Sequence, residues 1–161
     1  MTGLTVYLET SVISYLVSRL SRDYLVSAHQ RLTREWWETR RSEYEVFISQ
    51  LVIEEIEEGD LEEAKKRVAA VTGIPIIATD SEALELASRY ISKGILGEGA
   101  FDDALHMATA SIKSLDYLLT WNCKHIANEK VKRAIEHLNE DFGWSTPFIC
   151  TPLELIEITG A

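Results

Sequence analysis

Val6-Tyr7-Leu8-Glu9-Thr10-Ser11-Val12-Ile13-Ser14 is the stretch on which the reading of this chain turns. Leu4 to Leu8 is rich in β-branched, aromatic and aliphatic residues and reads as a strand. It ends in the acid Glu9, and Thr10 and Ser11 follow as residues able to cap a helix. Val12, Leu16 and Leu20 then recur at helical spacing, which predicts a helix over 11–20. A strand that runs into a carboxylate and then directly into a helix is an unusual way to begin a core strand unless the acid has a task.

Further runs of the first kind appear at Val46-Phe47-Ile48, Ile74-Pro75-Ile76-Ile77, Tyr117-Leu118-Leu119-Thr120-Trp121 and Phe148-Ile149-Cys150. They are near-continuously apolar instead of alternating, the pattern of a parallel sheet covered by helices on both faces. The intervening segments read as helices over 24–41, 51–71, 80–90, 102–114 and 129–139, with Asp80-Ser81-Glu82 placing acids at a helix start where the dipole favours them. Strands alternating with helices predict an α/β domain of layered type.

The chain has 161 residues, 46% of them hydrophobic, and a formal charge of −10. A chain of this size buries about two thirds of its unfolded surface and needs no metal or disulfide to fold. Residues 1–161 are therefore expected to form one domain, in which any metal would be functional. Cys123 and Cys150 form no ligand pattern. No apolar run approaches the ~20 residues of a membrane span, and the opening residues lack a secretory pattern, so the expected location is the cytoplasm. The acidic balance disfavours gripping nucleic acid through bulk charge, but not through bound cations.

In open parallel sheets ligands bind beyond the carboxyl ends of the strands. Glu9 follows the first strand there, Ser49 leads from the second into a helix carrying Glu54 and Glu55, Asn122 follows the fourth, and Asp102 and Asp103 open the helix before it. Asp102 is the candidate cap and Asp103 the candidate ligand. Carboxylates distant in sequence but convergent in space suit Mg²⁺ or Mn²⁺, which prefer oxygen and can activate water against a phosphodiester.

Together Val6–Ser14, Ile48–Ile56, Asp103–Ala110 and Leu119–Asn122 resemble, in order, the motifs of the PIN-domain nucleases, in particular the VapC-like toxins of toxin-antitoxin modules. The terminal Ile149-Cys150-Thr151-Pro152 is similar to that family's last strand and its exit. The resemblance implies a three-layer α/β/α domain with a mostly parallel five-stranded sheet. It also implies a Mg²⁺ or Mn²⁺ site for cutting RNA, with Glu9, Glu55 and Asp103 as metal ligands. Asn122 would be an auxiliary oxygen donor, and Thr10, Ser11 and Thr120 would line the pocket. A cognate antitoxin is the partner it implies, and a homodimer is expected besides, with Trp36 or Trp37 as a contact for one or the other.

Two departures keep a second reading open. Glu9 stands where the family has aspartate, and Asn122 brings no charge, so the alternative is a PIN-like domain with impaired catalysis that binds RNA or protein. A third reading, a phosphotransfer domain built on Asp80, lacks a lysine after the last strand. His106 lies on an apolar helix face and reads as a core histidine, while His29, His125 and His137 have no ligand spacing. Trp36 and Trp37 point about 100° apart on a helix, which leaves one exposed or covered by another chain. Gly94 to Gly99 forms no phosphate cradle and reads as a flexible connection towards Asp103.

Overall fold

The computed structural model describes residues 3–159, in the order β1 (Thr5–Leu8), α1 (Thr10–Val17), α2 (Tyr24–Thr39), β2 (Glu45–Ser49), α3 (Gln50–Ile56), α4 (Leu61–Ala70), β3 (Ile76–Ile77), α5 (Ser81–Ser92), α6 (Phe101–Ile112), β4 (Tyr117–Leu119), α7 (Glu129–Phe142), β5 (Phe148–Cys150) and α8 (Pro152–Thr159). Every strand pairing is parallel, and the sheet runs β3-β2-β1-β4-β5. β1 is central, with Val6 opposite Val46 on one side and Leu8 opposite Leu119 on the other.

The chain steps from β1 to β2 to β3 in one direction, then returns across the sheet to β4 and on to β5. Parallel crossovers are almost always right-handed, so reversing direction moves the connecting helices to the opposite face. That places α1 to α4 on one side and α5 to α7 on the other, which is the expected three-layer α/β domain. The strand order reverses between β1 and β4, and Glu9 and Thr120 emerge side by side at that switch point. Val6, Tyr7, Leu8, Leu118 and Leu119 are wholly buried, which accounts for strands that do not alternate.

Several expectations are corrected. The helix expected over 51–71 is two helices, because Gly59 turns the chain at φ 84° and the Asp60 carboxylate caps α4 by accepting from Glu63 N at 3.0 Å. α1 stops at Val17, and the Arg34 guanidinium donates to the carbonyls of Leu16 (3.3 Å) and Ser18 (2.7 Å) at the helix end. Pro75 narrows β3 to two residues, though its carbonyl still accepts from Ile48 N at 3.1 Å. Asp102 does not cap α6. Ala100 occupies the cap position after a 3₁₀ turn over Glu98–Ala100, and Asp102 is exposed.

Thr10 and Ser11 do not cap α1 either, since Glu9 occupies that place. The residues after Thr151 form a helix, α8, and not merely an exit from the last strand. Of the tryptophan pair, Trp36 is in the core and Trp37 is partly buried, its ring covered by Arg41 of the same chain at 4.1 Å. Among the described residues, no helix is long and apolar enough to cross a membrane.

Candidate active site

β1 ends where α1 begins, and Glu9 sits at that junction with extended backbone and no capping bond from its side chain. The carboxylate is left free for other partners although the residue is only 6% exposed. Its Oε1 accepts from the Thr120 hydroxyl at 2.7 Å and from the Ser11 hydroxyl. Ser11 Oγ in turn accepts from Trp121 N at 2.8 Å, and Thr120 Oγ1 from Asn122 N at 2.9 Å. Two hydroxyls thus tie the first acid to the turn after β4, and both bonds fall on one oxygen.

Glu55 comes from α3, which Ser49 starts by accepting from Val52 N at 3.2 Å. Of the acidic run, Glu54, Glu57 and Glu58 are exposed, while Glu55 turns inward, as helical geometry requires of so dense a run. Its Oε1 accepts from the Thr10 hydroxyl (2.5 Å) and from His106 Nε2 (2.7 Å). His106 is wholly buried on α6, and its Nδ1 meets the Tyr7 hydroxyl at 2.6 Å, which also meets Ser49 Oγ at 2.7 Å. Ligand atoms of Glu9, Glu55 and His106 all lie within 4.8 Å of one another.

Asp103, also on α6, is a neighbour outside that trio. Its Oδ1 accepts from Asn122 Nδ2 at 3.2 Å, and its Oδ2 pairs with His125 Nδ1 at 2.8 Å. Asn122 Oδ1 accepts from His125 N at 3.0 Å, which fixes the amide with its nitrogen towards Asp103. Asn122 therefore orients the acid here, and its own oxygen is taken. Beside it, Trp121 stacks on His29 at 4.1 Å between ring centroids and donates Nε1 to Thr33 Oγ1 at 2.7 Å, which anchors the turn.

Electrostatics tighten this arrangement. Burial pushes the Glu55 carboxyl up, but the hydrogen bond and charge of His106 and the Thr10 hydroxyl outweigh it and hold Glu55 below its ordinary value. Burial likewise depresses His106, yet its bond to Glu55 and the charges of Glu9, Glu55 and Asp103 leave it above its ordinary value. Burial drives the Tyr7 hydroxyl far up, so it serves as a neutral donor and acceptor. The pocket is a focus of negative charge in which hydroxyls and one imidazole offset carboxylate repulsion. A cation would relieve the remainder.

The expected site residues thus belong to two adjoining networks: Glu9, Ser11, Thr120, Asn122 and Asp103 in one, Thr10 and Glu55 in the other, and the two meet where Glu9 approaches Glu55 and His106. Tyr7, His106, Ser49 and His125 were missed as partners. Tyr7 lies two residues before Glu9, on the same strand face, and His106 three after Asp103, on the same helix face, so periodicity held a trace of both.

The crystal structure of VapC20 from Mycobacterium tuberculosis, a sarcin-ricin loop cleaving toxin, matches 74% of this chain and 92% of its own length with TM-score 0.58 and 16% identity. A chain in the crystal structure of VapBC2 from Rickettsia felis, bound to a DNA fragment from their promoter, matches 92% of this chain and 98% of its own with TM-score 0.59 and 16% identity. At that identity the likeness is one of fold. No protein-family model matches the chain, and no curated protein does.

Proposed function

From the PIN-domain, VapC-like fold of this chain, we propose that it is a Mg²⁺- or Mn²⁺-dependent endoribonuclease, the toxin of a toxin-antitoxin pair, acting in the cytoplasm as a single domain. The observation that carries this reading is the meeting of Glu9 and Glu55 with His106 within 4.8 Å at the switch point of the sheet, with Asp103 tied to Glu9 through Thr120 and Asn122. VapC20, which shares the fold, is described as a toxin that cleaves the sarcin-ricin loop.

The donor set fits a divalent cation. Glu9, Glu55 and His106 bring ligand atoms within 4.8 Å, close to the ~4.2 Å width of a shell with ~2.1 Å bonds. Glu9 and Glu55 would hold the ion, and Asp103 would reach it directly or through water. Such an ion, when bound, neutralises a phosphodiester and makes water a stronger nucleophile. The chain's own residues orient the acids: Ser11 and Thr120 hold Glu9, Thr10 and His106 hold Glu55, and Asn122 and His125 hold Asp103. In Glu9 and Glu55 these bonds use Oε1, so the internal network does not need Oε2.

The test is calorimetric titration of Mn²⁺ and Mg²⁺ into the parent and Asp103→Asn, followed by RNA cleavage at saturating ion. Binding and cleavage in the parent, both lost in the variant, are the expected result. Cleavage that survives Asp103→Asn refutes the site assignment. A parent that binds no ion and cuts nothing supports the binding-module reading, for which the longer Glu9 side chain is the motive; activity gained by Glu9→Asp would then locate the defect.

The same reading carries an antitoxin partner, which the VapBC2 neighbour supports, and a homodimer. Co-purification with the product of an adjacent reading frame and the solution mass of the chain test these two.

A further inference from the structure

His106 is wholly buried in the middle of α6, and both its ring nitrogens are engaged. We propose that His106 Nε2 is itself a ligand of the cation held by Glu9 and Glu55, and that this pocket selects a first-row transition ion such as Mn²⁺ over Mg²⁺. The proposal rests on the metal site of the nuclease reading and specifies which ion that site takes.

Position is the first ground. His106 shares with Glu9 and Glu55 a cluster whose ligand atoms span no more than 4.8 Å. The 2.7 Å between His106 Nε2 and Glu55 Oε1 is close to the ~3 Å that separates neighbouring ligands with ~2.1 Å bonds to one ion. A cation at that point replaces the proton the two groups share in its absence.

The far side of the ring is the second ground. A histidine that binds metal through one nitrogen almost always gives its other N–H to an oxygen, which fixes the tautomer and the ring plane. His106 Nδ1 has such an oxygen, the Tyr7 hydroxyl at 2.6 Å, and Tyr7 continues to Ser49 Oγ at 2.7 Å. Without an ion, Ser49 donates to Tyr7, Tyr7 to Nδ1, and Nε2–H to Glu55. With Nε2 on the ion, Nδ1–H donates to Tyr7 and Tyr7 to Ser49. The hydroxyls turn over to serve either tautomer, so Nε2 can be freed without leaving Nδ1 unpaired in the core.

Donor chemistry is the third ground. Mg²⁺ prefers an all-oxygen shell, whereas imidazole suits Fe²⁺, Ni²⁺, Cu²⁺ and Zn²⁺, with Mn²⁺, which also takes oxygen, at the weak-binding end of that first-row series. A site of two carboxylates and one buried imidazole therefore favours the second class. Asp103, engaged by Asn122 and His125, leaves the third place of the trio to nitrogen.

The test uses the whole chain, grown with ¹⁴N- or ¹⁵N-histidine and loaded with Mn²⁺, read by pulsed electron paramagnetic resonance. A directly bound imidazole nitrogen should appear, change with the label, and persist when His29, His125 and His137 are each replaced by Asn. Calorimetry should show Mn²⁺ binding more tightly than Mg²⁺, a preference that falls by about tenfold or more in His106→Gln and in Tyr7→Phe, the scale on which even the partner of a metal ligand counts. Mn²⁺ binding with no histidine coupling, or an unchanged Mn²⁺/Mg²⁺ ratio in His106→Gln, overturns the proposal and leaves the nuclease reading standing. A parent that binds neither ion overturns both. If His106→Gln does not fold, the labelled parent and the three Asn variants decide the matter.

Discussion

Thr120→Val removes one oxygen from the centre of the site and keeps the shape of the side chain. Thr120 is wholly buried, donates to Glu9 Oε1 at 2.7 Å and accepts from Asn122 N at 2.9 Å. A hydrogen bond to a charged group contributes roughly 1.5–3 kcal/mol, and an amide left unpaired in a half-buried place costs about 1 kcal/mol. The variant should therefore lose about 2–4 kcal/mol of a total near 5–15 kcal/mol. For a chain of this size that is a fall in Tm of about 5–15 °C. Urea denaturation of the ion-free protein measures it, with Thr120→Ser as the partner variant. Serine keeps the hydroxyl and gives up one buried methyl, so its loss should stay near 1 kcal/mol. A valine variant within about 0.5 kcal/mol of the parent, the ordinary range for a harmless surface change, would refute the view that Glu9 is held by this hydroxyl. So would a serine variant as weak as the valine one.

Asn139 accepts from Tyr90 Oη at 2.6 Å and donates to Ser111 Oγ (3.0 Å) and Thr146 Oγ1 (2.8 Å) in the core. Asn139→Leu should cost about 3 kcal/mol or more by urea denaturation while leaving Mn²⁺ affinity unchanged by calorimetry. Asp80 lies below its ordinary carboxyl value because the Ala83 amide donates to it and Lys113 stands beside it. Its contribution is therefore present above the unfolded pKa of about 3.9 and lost as pH falls through the lower folded value. Asp80→Ala should lose about 1 kcal/mol near neutrality with the helix cap, and its stability should fall less steeply than the parent's below about pH 4. Gly59 has φ 84°, and nothing lies within 4 Å of an added Cβ. Gly59→Ala should cost about 1 kcal/mol of backbone strain alone, and a gain in Tm would show that the turn relaxes.

The strands were legible because each is a short apolar run, and the central β1 and β4 are buried on both faces, whereas the edge strands β3 and β5 leave Ile76 and Phe148 exposed. Glu9 and Asp103 stand out as candidates because strand ends and helix starts are local features, whereas Glu55 is singled out from its acidic run only by the family resemblance. Their partners were not legible. His106 looks like core by helical spacing and is core; only the approach of Glu55, 51 residues earlier, shows that it also belongs to the site. His125 was set aside for lack of ligand spacing, and its meeting with Asp103 depends on how the turn after β4 folds back. Thr10 and Ser11 read as caps because their type suits one. Tertiary partners, two carboxylates in a crowded pocket, outbid the helix end for both hydroxyls.

The bond from Thr120 to Glu9 joins residues 111 positions apart. A ribosome extending this chain has therefore placed Glu9, Glu55 and Asp103 before the hydroxyl of Thr120 or the amide of Asn122 exists. Until β4 docks beside β1, Glu9 lacks the Thr120 hydroxyl and Asp103 lacks both Asn122 and His125, whereas the donors of Glu55, Thr10 and His106, already exist. Fragments ending between residues 103 and 119, whether from interrupted translation or from cleavage, carry the three acids without that clasp. If the chain cuts RNA as proposed, its maker is shielded by the order of synthesis until β4 has emerged, because the clasp follows the acids along the chain.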